Sequence, residues 1–245
     1  MEHQLGEFET VKFAHRRADY THALETILGM GYQPQDYIHQ FPAFVGHMTL
    51  WRAFTLYELY KKTLGLAGHI ADVGVYMGAS TLLFGKLLQI FEPESLSMVH
   101  GFDWFQGTHV SNEDTLQVEG AHLESEARVR KLITCQKLDH VVKVHKLDVA
   151  KEIDGFFDAH AHLRFKLVFL DSGTYDVVSS AIRAFWPRLI PGGLLVLDQY
   201  NHEVAPGEVR AIHDLLPNEK VETLPNAWMP NAYIQKTAPG GTIIG

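Results

Sequence analysis

The chain is poor in the residues that build extracellular scaffolds and membrane anchors. It holds one cysteine, Cys135, in 245 residues. No disulfide can close within it, and a cysteine-rich zinc site is excluded. That usage points to a reducing compartment, so a cytoplasmic location is expected. No run of about 18 apolar residues occurs, and no membrane-spanning helix is expected. The first nine residues are acidic and lack the apolar core of a signal peptide. Positive charge is scarce too. Lys and Arg number 21 against 29 Asp and Glu, for a formal net charge of −8 and a pI near 6.0. This excludes a whole-chain basic footprint for nucleic acid and leaves a small molecule as the expected partner.

What is present is ordinary for one large globular domain: 46% hydrophobic and 20% charged residues. Fifteen histidines are many, but their scatter in sequence shows no paired metal spacing. Residues 1–65 read as a helical N-terminal extension or lid, with one helix over 18–28 and another over 48–64. From residue 66 to 237 apolar strands alternate with helices, and 238–245 form a tail. The strands fall at 69–75, 97–103, 141–147, 165–171, 194–198, 220–224 and 231–235. The helices fall at 79–91, 124–138, 150–157, 177–189 and 208–216, and Cys135 reads as a small core residue. A polar loop spans 104–120. The pattern specifies an α/β fold: a doubly wound, mostly parallel seven-stranded sheet covered on both faces. Such sheets bind ligands at the carboxyl ends of their strands, near the switch point.

Chemically useful residues collect at those ends. The first strand leads into Asp72-Val73-Gly74-Val75-Tyr76-Met77-Gly78-Ala79-Ser80, where the glycines allow a tight turn before a helix N-terminus. Its spacing is not the G-x-G-x-x-G dinucleotide fingerprint. The second strand ends at Asp103, placed to accept hydrogen bonds from both ribose hydroxyls of an adenosine-containing ligand. The third ends at Asp148, which suits an adenine amino group or a helix N-cap equally. The fourth and fifth end at Asp171 and Asp198. That pair, with the amide oxygen of Gln199, suits a hard ion such as Mg²⁺. His202, on the next loop, has the intrinsic basicity of a general base.

Four segments carry a family likeness: residues 68–80, 99–107 (VHGFDWFQG), 165–175 (FKLVFLDSGTY) and 186–207 (WPRLIPGGLLVLDQYNHEVAPG). In them the chain resembles the macrocin O-methyltransferase-like family of Rossmann-like class I methyltransferases. These enzymes use S-adenosylmethionine to methylate sugar hydroxyls of natural products. The resemblance implies that Gly74, Gly78 and Ser80 line the methionine end of that cofactor, with Tyr76 on the same turn. It implies that Asp103 holds the ribose, with Trp104 near the adenosine. It assigns Asp171 and Asp198 to a metal ion that lowers the acceptor hydroxyl pKa, and places Asp171 at the cofactor as well. Asp171 or His202 then serves as base. Members commonly carry an acid where this chain has Gln199, and their D-x-D-x-Y segment reads Asp171-Ser172-Gly173-Thr174-Tyr175 here. A glycosylated small-molecule acceptor and a homo-oligomer are the further expectations. The competing classes are a nicotinamide-dependent oxidoreductase, a non-catalytic binding module of the same fold, and a hydroxylase, for which no two-His-one-carboxylate spacing exists.

Overall fold

The apolar segments pair side by side into a single sheet. The structure, a computed structural model, describes residues 14–110, 112, 114, 117–200, 202–203, 205–225 and 229–237. The start of the extension and the expected tail lie outside these. Strands β1 (His69–Val73), β2 (Val99–Asp103), β3 (Val142–Lys146), β4 (Phe165–Leu170) and β5 (Leu189–Leu197) run parallel. Strand β7 (Ala232–Gln235) inserts antiparallel between β5 and β6 (Val221–Thr223), giving the order β3-β2-β1-β4-β5-β7-β6. The winding direction reverses between β1 and β4, so a crevice opens there at the carboxyl edge. Register brings the expected residues to one level. Val73 pairs with Phe102 and with Leu170, and Leu170 pairs with Leu197. Gly74, Asp103, Asp171 and Asp198 each follow or end one of these strands, side by side.

Both faces are covered, as the apolar strands require. One face packs under α4 (His47–Lys61), α5 (Ala79–Phe91) and α6 (Glu126–Cys135), through Leu56, Leu59, Phe84, Leu88, Val129 and Ile133. The other packs under α7 (Val149–Ala159), α8 (Tyr175–Phe185) and α9 (Pro206–Leu215), through Ile153, Phe157, Ile182, Phe185 and Ile212. The extension holds α1 (Arg17–Leu28), α2 (Pro34–His39) and α3 (Phe41–Phe44) before α4. No described side chain of α1 to α3 is buried. Leu28, Ile38 and Phe41 stay exposed, as do Trp51 and Phe54 on α4.

Three boundaries differ from expectation for physical reasons. Pro187 brings no N–H, so α8 stops at Phe185 and a 3₁₀ turn, Trp186–Arg188, replaces its last turns. Strand β5 then starts at Leu189 and carries Pro191-Gly192-Gly193 within it. Gly192 N–H donates to the Lys236 carbonyl at 2.6 Å, and Lys236 N–H to the Gly193 carbonyl at 2.9 Å, which holds the irregular stretch in the sheet. Helix α6 ends early at Cys135, so this residue is exposed rather than part of the core.

Parallel register also gathers histidines that are distant in sequence. His100 Nδ1 lies 3.0 Å from His145 Nε2, with the two rings stacked. His69 meets His100 edge-on at 5.0 Å, and His160 lies 6.5 Å from His145. Burial, then the neighbouring imidazoles, push His100 down to about 3. Burial, then His160, push His145 down to about 4. Both are neutral in the folded protein, whereas the unfolded chain takes up these protons near pH 6.5. The unfolded state therefore binds more protons at low pH. The pair's contribution is whole above about pH 6.5 and is lost as pH falls toward about 4. His145→Gln is expected to flatten the fall of the unfolding free energy across that window relative to wild type by ~1 kcal/mol, as read from urea titrations at each pH. An unchanged pH slope contradicts this account.

Candidate active site

The carboxyl edge at the switch point opens into a cavity of about 640 Å³, within the range of small-molecule and cofactor sites. Gly74, at φ +101°, begins its floor. A Cβ at Gly74 would run into the Asp171 carbonyl, so only glycine lets the ends of β1 and β4 lie this close. Asp103 faces the cavity from β2. Its Oδ2 accepts from Tyr76 N–H at 2.9 Å and its Oδ1 from Phe105 N–H at 2.7 Å. Tyr76 and Phe105 both sit at positive φ, 48° and 58°. Such a backbone costs on the order of 1 kcal/mol per residue and persists where surrounding contacts over-determine it. Here the contact is one carboxylate held by two strained amides. Trp104 lines the cavity and donates its indole N–H to the Gly107 carbonyl. Asp148 caps α7, accepting from Ala150 N–H at 3.0 Å, and still reaches the cavity wall. The two roles that its position allowed are compatible.

Three expected residues are elsewhere. Gly78 is the left-handed N-cap of α5, where a Cβ would strike Leu82. It serves packing and does not line the cavity. Ser80 is buried and donates to Asp72 Oδ2 at 2.8 Å, joined there by the Thr81 hydroxyl. Burial pushes the Asp72 carboxyl up to about 7 against those two hydroxyls. His202 is buried on the loop after β5 and is not among the residues that line the cavity.

The far wall is a cluster of charge. Asp171 follows β4 and Asp198 follows β5, and one guanidinium bridges them. Arg52 Nη2 donates to Asp171 Oδ2 at 2.6 Å, and Nη1 to Asp198 Oδ1 at 2.5 Å. Burial opposes the charge on Arg52, but Asp198 and Asp171 outweigh it and raise its pKa above the ordinary arginine value. Burial raises the Asp198 carboxyl well above its usual range, and Arg52 opposes that rise. Behind the pair, Glu208 accepts from Gln199 N–H at 2.8 Å, and burial pushes its carboxyl up to about 8. The Gln199 side-chain oxygen abuts Gly173, where a Cβ would collide with it.

The family described as methyltransferase domain matches residues 71–200, more than half of the chain. The chain belongs to that family. The match runs from β1 through β5, so it spans Gly74, Asp103, Asp171 and Asp198. Family and fold together make the protein a class I S-adenosylmethionine-dependent methyltransferase, which removes the oxidoreductase and hydroxylase alternatives. No curated protein matches the methyltransferase by sequence. Among solved structures it is similar to a calicheamicin methyltransferase, with 19% identity, TM-score 0.79, and coverage of 89% of this chain and 92% of the other. It is similar to a ligand-free TDP-rhamnose 3′-O-methyltransferase of calicheamicin biosynthesis, with 20% identity, TM-score 0.73, and coverage of 89% and 94%. It also resembles the O-methyltransferase NovP, with 18% identity, TM-score 0.61, and coverage of 77% and 81%. These likenesses are of fold.

The cavity of the methyltransferase fits its cofactor. It offers a carboxylate at the end of β2, a glycine floor without a Cβ, and an aromatic wall at Trp104. The expected magnesium set of Asp171, Asp198 and Gln199 does not fit its ion. A divalent cation takes about six oxygens around an open centre. Here a guanidinium spans both carboxylates, and the amide oxygen is turned onto Gly173. Among the described residues, no three His, Cys, Asp or Glu side chains converge as metal ligands. Sequence reasoning missed Arg52 altogether. Its only local signal is that it is a lone arginine on an aromatic-rich, largely apolar helix.

Sequence reasoning also missed Asp114, in the long loop after β2. It is fully buried. Its Oδ2 accepts from Tyr175 N–H at 2.9 Å and its Oδ1 from Gly207 N–H at 3.1 Å. Both amides lie in first turns, of α8 and α9, where helix dipoles favour an anion. The same loop supplies Thr108, His109 and Gln117 to the cavity wall, so Asp114 latches that wall to the body. Asp114→Ala is expected to loosen the loop by about 1–2 kcal/mol. Limited proteolysis should then cleave within residues 105–125 several-fold faster at unchanged far-UV circular dichroism. Cleavage at the wild-type rate contradicts the latch.

Proposed function

We propose that this methyltransferase transfers its methyl group to a hydroxyl of a small acceptor, a sugar or a glycosylated natural product, with Asp171 as the base. The observation that carries the reading is the carboxylate at the end of β4, facing the same cavity as Asp103. The Asp171 side chain keeps 25% of its surface exposed there, against 1% for Asp198. The similar structures are of enzymes described as a rhamnose O-methyltransferase and an O-methyltransferase, which supports oxygen and sugar in the acceptor. The negative net charge and the mixed polar lining support a small-molecule partner rather than nucleic acid.

Asp103 holds the ribose hydroxyls through the lone pairs that its backbone donors leave free. Gly74 and Tyr76 border the methionine portion, while Asp148 and Trp104 border the adenine. When bound, S-adenosylmethionine supplies an electrophilic methyl group on its sulfonium. The residues supply the rest. Asp171 accepts the hydroxyl proton of the acceptor as its oxygen becomes nucleophilic, a role worth about 10²–10⁴ in rate. The loop latched by Asp114 supplies part of the cavity wall, and holding two reactants in line contributes further. The exposed apolar residues of α1 to α4 support a homo-oligomer. Sedimentation should give a dimer or larger species, and a monomer overturns that part.

Calorimetry with S-adenosylhomocysteine tests the cofactor assignment. Asp103→Ala is expected to weaken binding by about 10- to 100-fold, from the loss of two charge-assisted hydrogen bonds. Asp171→Asn should leave that affinity within about threefold, yet lower turnover of a sugar acceptor by about 100-fold or more. Unchanged affinity in the first variant, or full turnover in the second, contradicts the proposal.

A further inference from the structure

The carboxylate pair that sequence likeness gives to a magnesium ion already holds a cation of this chain. Arg52 forks across it, one amino group on Asp171 and the other on Asp198, at 2.6 and 2.5 Å. We infer that Arg52 replaces the divalent ion, holding Asp171 in position at the cavity wall, so that methyl transfer runs without a divalent metal. This inference rests on the methyl-transfer reading of the cavity.

Three observations converge on it. The first is shape. A guanidinium is planar with parallel donors, and its fork matches two carboxylates as a point charge does not. The second is delivery. Arg52 sits on α4, a helix anchored in the core by Leu56, Leu59 and Tyr60, and its guanidinium lies 5.4 Å from the Phe169 ring. A side chain on a packed helix is held far better than one on a loop. The third is charge. The guanidinium lies between the two carboxylates, and its attraction opposes the rise that burial imposes on Asp198. The Gln199 amide oxygen abuts Gly173. Arg52 is therefore a positioning residue: it acts through Asp171.

The test needs no acceptor. Mn²⁺ is titrated into the full-length protein, saturated with S-adenosylhomocysteine, and the free-ion sextet is followed by electron paramagnetic resonance. Wild type is expected to leave the sextet undiminished through the millimolar range. Its affinity for S-adenosylhomocysteine should be the same in EDTA as in Mg²⁺. Arg52→Ala uncovers the carboxylates and should bind Mn²⁺ at least about tenfold more tightly than wild type. Arg52→Lys keeps a cation between them and should stay silent. Where Arg52→Ala does not fold, Arg52→Gln, neutral and nearly as long, takes its place. Micromolar Mn²⁺ binding by wild type that is lost in Asp171→Asn overturns the inference. So does a folded neutral variant that takes up no Mn²⁺. Failure of the underlying reading looks different: S-adenosylhomocysteine then gives no heat with wild type at all.

Discussion

Asp198 is buried at the end of a central strand, with Asp171 and Glu208 beside it, and its charge is costly there unless a cation pairs with it. Removing one partner from a buried pair costs on the order of 3 kcal/mol, because the other charge is left stranded. Arg52 meets that demand from outside the sheet, and in doing so it fixes where α4 lies. The far end of the same helix is fixed in the same way. Tyr60 donates to Glu92 Oε1 at 2.6 Å, and the buried Lys166 donates to both Glu92 oxygens at 2.6 and 2.7 Å. Lys166 lies near the start of β4 and Asp171 just past its end. Eight residues of helix rise about 12 Å and five of strand about 16 Å, so α4 is tied along most of β4. The extension is thereby converted from an appendage into one wall of the cavity.

The opposite wall is held by a different device. Asp103 draws two positive-φ amides onto one carboxylate, and Asp114 draws two helix-start amides onto another. Acidic side chains here do structural work by accepting from backbone N–H groups, which leaves lone pairs on Asp103 for a ligand. The result is a rigid crevice between β1 and β4 with a carboxylate on each side. On the proposed reading one side binds the cofactor and the other takes the acceptor's proton, a division that the carboxyl edge of a parallel sheet makes available.

The strands and the residues that end them were legible because their signals are local. Apolar runs of five or six residues, closed by glycine or aspartate, locate β1, β2, β4 and β5 and place Gly74, Asp103, Asp171 and Asp198 together. What was not legible depends on long-range pairing. Arg52 meets partners 119 and 146 positions away, and nothing in its own neighbourhood marks it as the counterion. Asp114 looks like any loop acid until α8 and α9 bring their first turns to it. His69, His100, His145 and His160 have no common spacing, and only the parallel register stacks them. Ser80, Gly78 and His202 are the converse case: Ser80 donates to Asp72, a Cβ at Gly78 would strike Leu82, and His202 is buried outside the cavity lining, none of which is visible in their spacing.

A crystal structure grown with S-adenosylhomocysteine and then soaked in manganese would test the account most directly. The account predicts ribose density at Asp103, the Arg52 guanidinium still spanning Asp171 and Asp198, and no anomalous manganese peak between those carboxylates. A manganese peak there, with Arg52 displaced into solvent, would contradict it.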